Sequence, residues 1–271
     1  MPMPATKEFS NHWKAKGTPR AVVALVHGLG EHINRYTHVA RFLNGFGIAV
    51  LGADLTGHGR RQGLRGHASG IDTLLDNVDG LVYQCRQHYG DVPLFLYGHS
   101  MGGTLVLYRT LFRSSDQVAG VICTSPWLRL PNPPSALLVS AARVLNSVFP
   151  AFTQSNGLNP EDLSHDSDVV EAYRNDPLVH NRISARLAVH LTDAAARLDR
   201  YSGTFPVPLI LMHGKQDRIT DSEGSKNFAA KDPEHIEFIL WPECRHELHN
   251  EPEKEQVFST MKNWIDAVIN G

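Results

Sequence analysis

Short runs of Val, Ile, Leu and Ala recur along the chain at 21–27, 47–53, 93–97, 118–124, 208–212 and 236–241, separated by longer amphipathic stretches. That rhythm restricts the fold more than any other feature. Near-continuous apolar runs suit strands covered on both faces, and a strand followed by an amphipathic helix is the unit of a parallel sheet. Helices are predicted at 36–46, 71–89, 102–112, 222–230 and 253–269. Around the third of these, Met101, Leu105, Tyr108, Leu111 and Phe112 share one face at helical spacing. The expectation is an α/β fold with a mostly parallel central sheet and helices on both faces.

The alternation stops between Trp127 and about residue 205. Pro131, Pro133 and Pro134 open this stretch, an apolar helical run continues it at 136–152, and Asn156-Gly157 and Asn159-Pro160 mark a polar middle. It contains no convincing strand pattern. It reads as a helical cap insertion at 127–205 lying over one edge of the sheet, with the core at 1–126 and 206–271. The 271 residues accommodate one such domain.

Composition removes several classes of function. Hydrophobic residues make up 42% and charged residues 20%, which are globular values. A formal net charge of -2 leaves no footprint for a nucleic-acid partner. The N-terminal ten residues lack a basic start followed by an apolar run, so no secretory signal is expected. Arg143 and Asn146 interrupt the 136–152 run, which falls short of the roughly 20 apolar residues of a membrane span. Cys85, Cys123 and Cys244 form no CxxC pair and are odd in number, which disfavours a disulfide framework and suits a reducing cytoplasm.

Gly98-His99-Ser100-Met101-Gly102 carries the strongest chemical signal. It fits G-x-S-x-G between a predicted strand and a predicted helix, the setting of a nucleophile elbow. Glycines two residues to either side let the turn be tight enough to push the serine hydroxyl clear of the backbone. The first amides of the helix then favour developing negative charge. The plainer reading is a tight turn made of small residues. Phosphate-loop readings fail: Thr104 stands where a P-loop needs lysine, and Ile33 where Gly28-Leu29-Gly30 would need a third glycine.

A serine hydroxyl needs a base, and the base needs an orienting carboxylate. In this type of fold the chain order is Ser, then Asp or Glu, then His. Of 15 histidines, only His246 and His249 lie beyond the last predicted strand. His246 comes soon after it and is preferred, while His249 suits packing or capping. The string His246-Glu247-Leu248-His249 spaces its histidines three apart and does not make a zinc helix. Asp217 lies in the loop after the 208–212 strand and is preferred as the acid. Asp221 and Glu223 are its rivals, and they suit the first turn of the next helix. Oxyanion donors are expected from the amides of Met101, after the nucleophile, and Leu29, in the glycine-flanked loop after the first run.

With these residues placed, the chain resembles the monoacylglycerol lipase and lysophospholipase family of α/β-hydrolases. The likeness rests on His27-Gly28-Leu29-Gly30-Glu31-His32 with Arg35-Tyr36 behind it, then Asp54, Gly57-His58-Gly59, Gly63 and Arg65-Gly66. It continues through Gly98-His99-Ser100-Met101-Gly102-Gly103, Ser125-Pro126 and Asp176-Pro177-Leu178-Val179, and closes on His246-Glu247-Leu248-His249-Asn250-Glu251. One departure stands out: Arg61, after Arg60, occupies a place where that family usually has a small residue.

The resemblance implies Ser100, Asp217 and His246 as a triad, Leu29 and Met101 as oxyanion donors, and the insertion as a cap over an acyl pocket. It implies hydrolysis of small acyl esters, above all monoacylglycerol-type lipids, with no metal and no organic cofactor. Lysophospholipids, thioesters and peptides are the rival substrates. A silent binding protein is the rival class, disfavoured because all three triad positions are filled. Within the apolar run, Leu137, Leu138 and Val148 are candidate acyl contacts. The same helix is equally suited to sealing a core, and transient contact with a membrane surface is a third role for it.

Overall fold

The computed structural model describes residues 10–271. Nine of the ten N-terminal residues in which no secretory signal is expected therefore lie outside the described residues.

A seven-stranded sheet runs through the molecule. Its strands are β1 (Ser10–Trp13), β2 (Ala21–Val26), β3 (Ile48–Ala53), β4 (Leu94–His99), β5 (Gly120–Thr124), β8 (Leu209–Gly214) and β9 (Ile236–Trp241), in the order β1-β3-β2-β4-β5-β8-β9. All neighbours are parallel except β1 on β3. The mostly parallel sheet of the sequence reading is therefore present. β1 is an addition to it, and its polar Ser10-Asn11-His12-Trp13 gives no strand pattern. It is a strand because its backbone pairs with the open edge of β3.

β2 shows why the core forms. All six of its residues are buried. Val22, Ala24 and Val26 join the core on one face, under α2 (Ile71–Tyr89) and α3 (Met101–Phe112). Ala21, Val23 and Leu25 join the core on the other face, under α1 (Thr37–Asn44) and α8 (Lys254–Asn270). The period-two side-chain alternation of a strand thus feeds two cores at once. α7 (Ser222–Ala229) lies between β8 and β9 in the chain.

Between β5 and β8 the chain forms α4 (Ala136–Val148), α5 (Ser167–Asn175) and α6 (Ala185–Asp199). The expectation of no strand there needs correction. β6 (Thr153–Ser155) and β7 (Arg182–Ser184) form an antiparallel pair. Each has three residues, too few to show alternation, and the two are distant in sequence. α6 also differs from a detached cap helix, because Leu187, Leu191 and Leu198 are buried in the same core as β2 and α3.

The order of the strands places the site. From β2 the chain moves outward to β3, then returns to place β4 on the other side of β2. The loops leaving the carboxyl ends of β2 and β4 therefore part in opposite directions and leave a crevice, the usual ligand position in an open α/β sheet. The loop of Leu29 leaves β2, and Ser100 sits directly after β4.

Candidate active site

Ser100 is wedged between β4 and α3 with φ 54° and ψ -119°, a conformation unusual for a residue with a side chain. The flanking glycines allow it. A Cβ on Gly98 would overlap the carbonyl of Gly102, and one on Gly102 would overlap the carbonyl of Val26. The turn leaves Ser100 9% exposed on a cavity of about 290 Å³.

Asp217 and His246 come to the same place from two later loops. His246 Nδ1 lies 2.7 Å from Asp217 Oδ2. The carboxylate accepts, so Nδ1 carries the proton and Nε2 is left as an acceptor. Burial would by itself raise the Asp217 pKa, but the facing His246 and His213 rings hold it well below the usual carboxylate range. Burial would likewise lower the His246 pKa, and the Asp217 carboxylate outweighs it and raises it, with Glu247 and Glu31 adding. The His246 and Ser100 side chains line one cavity. Among the described residues no hydrogen bond joins them, and contacts of this kind commonly tighten only when substrate binds.

The rival residues fall elsewhere. Asp221 caps the start of α7 by accepting from the Glu223 amide, and Glu223 pairs with Lys226 on the surface. His249 is buried and stacks on Tyr36 at 4.5 Å between ring centres.

The amides of Leu29 and Met101 donate to no protein acceptor among the described residues. The loop of Leu29 is held from below. Glu31, fully buried, accepts from the Gly28 amide at 2.6 Å, the Tyr36 hydroxyl at 2.7 Å and Arg35 at 2.6 Å. Arg35 also forms a two-pronged pair with Glu247 at 2.6 and 2.7 Å. Burial would raise both carboxyl pKa values, but the shared guanidinium outweighs it and holds them down. One arginine thus ties the Leu29 loop to the residue after His246. Ser125, buried and at φ 45°, donates to the His246 carbonyl at 2.8 Å. Glu31, Arg35, Glu247 and Ser125 stand in the sequence only as landmarks of a resemblance, because their partners lie up to 212 positions away.

The acyl contacts expected on α4 are not where the sequence reading put them. Leu137, Leu138 and Val148 are 81%, 53% and 61% exposed and do not line the Ser100 cavity. Leu138 lines a separate cavity of about 190 Å³ between α4 and α6. The reason is that α4 turns only its Val139, Ala142, Leu145 and Asn146 stripe partly inward. The apolar walls around Ser100 come from Leu29, Trp127, Leu130, Leu158, Leu163, Tyr173, Ile183 and Ile219. The Asn156-Gly157 turn and Asn159 also line it, and their turn chemistry marks a loop without saying what the loop covers. Arg61 donates to the Asp54 carbonyl at 3.5 Å, in the loop that Asp54 braces through the Arg60 and Ile33 amides.

A parallel sheet carrying a strained serine at the end of one central strand, with an Asp–His pair on the loops of two later strands, is the architecture of an α/β-hydrolase. A family model described as serine aminopeptidase, S33, matches residues 17–253, and the chain belongs to that family of serine hydrolases. It is 31% identical over 255 residues to a monoacylglycerol lipase of Mycolicibacterium smegmatis, covering 93% of this chain and 90% of that one. The solved monoacylglycerol lipase of Paleococcus ferrophilus is similar with a TM-score of 0.86 and 31% identity, across 97% of this chain and 98% of that one. A longer Dictyostelium discoideum protein, described as abhydrolase domain-containing, is 36% identical over 259 residues, and the chain spans 27% of its length.

Proposed function

We propose that this serine hydrolase cleaves monoacylglycerol-type carboxylic esters through an acyl-enzyme, with Ser100 as nucleophile, His246 as base and Asp217 as its orienting acid. The observation that carries the reading is the strained Ser100 sharing a mainly apolar cavity with a His246 ring already fixed by Asp217. Ser100 attacks the ester carbonyl while His246 Nε2 takes its proton. The Leu29 and Met101 amides receive the oxyanion, and His246 then protonates the departing alcohol. Water repeats the sequence on the acyl-enzyme. Residues 127–205 serve as the cap over this cavity.

A lipid substrate gives the exposed face of α4 a role. Leu137, Val144 and Phe149 are 81%, 66% and 65% exposed on one short segment. In this reading they touch a lipid surface while substrate is collected. No helix among the described residues is long and apolar enough to cross a membrane. Three free, buried cysteines agree with a reducing compartment such as the cytoplasm.

A panel of monoacylglycerols, lysophospholipids, acyl-CoA, p-nitrophenyl esters and aminoacyl amides tests the proposal, with Ser100→Ala as control. Monoacylglycerols turn over fastest, and the variant loses about 1,000-fold or more in kcat. Full activity in Ser100→Ala would refute the nucleophile, and faster amide or thioester cleavage would refute the substrate class.

A further inference from the structure

Asp217 is held by more than the ring it orients. Its Oδ2 accepts from His246 Nδ1 at 2.7 Å, the Thr220 hydroxyl at 2.8 Å and His213 Nε2 at 3.0 Å. Its Oδ1 accepts from the amides of Ile219 at 2.7 Å and Thr220 at 3.0 Å. Five donors meet one carboxylate, and two of them are imidazoles.

His213 is fully buried near the end of β8 and takes no part in the acyl transfer described above. Its Nδ1 lies 2.8 Å from the hydroxyl of Ser225, which is also fully buried, in α7. These contacts assign the tautomer. A carboxylate only accepts, so Nε2 carries the proton, and Nδ1 is then the acceptor for the Ser225 hydroxyl. A directed chain results: Ser225 to His213, His213 to Asp217, with His246 donating to the same oxygen from the other side.

We propose that His213 is a positioning residue for the triad, sharing the Asp217 oxygen with His246 and thereby tempering how strongly that carboxylate holds the imidazolium. This rests on the triad reading above. A carboxylate oxygen with three donors is a weaker partner to each than one with two. Removing the His213 N–H concentrates charge on the His246 bond and favours protonated His246. The other groups facing this pair are His99, whose ring lies 4.8 Å from His246, and Glu247 and Glu31, which act on His246 through charge. His99 stays neutral, since burial and His246 both push its pKa well down.

The test is the pH profile of kcat/KM for a soluble short-chain ester, beside an NMR titration of His246. His213→Leu moves the acid limb and the His246 titration upward by about half a pH unit, which leaves about threefold less activity on that limb. His213→Gln keeps both near wild type, because its amide can still donate to Asp217 and accept from Ser225. Ser225→Ala releases the tautomer and moves both in the same direction by less. If His213→Leu does not fold, His213→Gln and Ser225→Ala still decide. Unmoved profiles in every folded variant, a downward shift, or a His213→Gln shift as large as that of His213→Leu would each overturn the proposal. A fully active Ser100→Ala would instead refute the triad, and the His246 titration would still report on the His213 link.

Discussion

α3 and α4 are apolar helices of 12 and 13 residues with opposite fates. In α3 Met101, Leu105, Val106 and Leu107 have no exposed surface, and even Arg109 is buried, paired with Asp79 at 2.7 Å. In α4 no residue is buried. α3 lies between the sheet and two helices, α2 and α6, so every face has a partner. α4 leans chiefly on α6, tied there by Arg143 with Asp193 and by Arg186 with Asn146. Apolar composition says what a helix is able to bury, and its neighbours decide what it does bury.

Three substitutions and a pH scan press on this contrast. The largest effect falls at the start of α3. Gly102→Val forces a side chain into the Val26 carbonyl, and is expected to abolish esterase activity and cost about 3 kcal/mol or more in urea unfolding. Leu105→Ala empties a packed site and costs about 2–5 kcal/mol in the same measurement. A pH scan reads the chemistry at the head of α3 directly. Because Asp217 raises the His246 pKa above its ordinary 6.5, neutral base is lost as pH falls through that higher value. Below it, kcat/KM drops about tenfold per pH unit. The smallest effect is on α4, where Leu137→Ser is expected to change stability by less than about 0.5 kcal/mol and leave short-ester turnover unchanged. A cost at Leu137 matching that at Leu105 would mean that α4 is covered in solution and the contrast is false.

The same contrast explains how far the sequence is readable. The strands from β2 to β5 and β8 are legible because both their faces meet neighbours, so their apolar runs are nearly unbroken, and β9, half-buried at the sheet edge, is legible from its run of large apolar residues. The elbow is legible because its glycines answer to a turn only a few residues long. The loops of Asp217 and His246 are found by counting strands, and the structure brings their side chains to hydrogen-bonding distance. β1, β6 and β7 are not legible, because each is defined by a backbone partner elsewhere in the chain. The Ser100 cavity walls are misassigned for a related reason. Apolar character singles out Leu137 and Val148, while Leu158, Tyr173 and Ile183, which do line the cavity, sit in stretches with a polar look.

Ser125 carries a wider consequence. It is the residue at which the chain departs from β5 toward α4, and its hydroxyl holds the His246 backbone at 2.8 Å. The exit point of the 127–205 segment is thus tied to the reactive loops, and the segment is bonded to them again further on, where the Leu163 carbonyl accepts from the Glu247 amide at 2.8 Å and the Gly30 carbonyl accepts from the His180 amide at 2.8 Å. The stretch proposed as a cap therefore doubles as scaffolding: a rebuilt version that drops the Leu163 and His180 contacts is expected to loosen the His246 and Leu29 loops along with whatever it changes about entry.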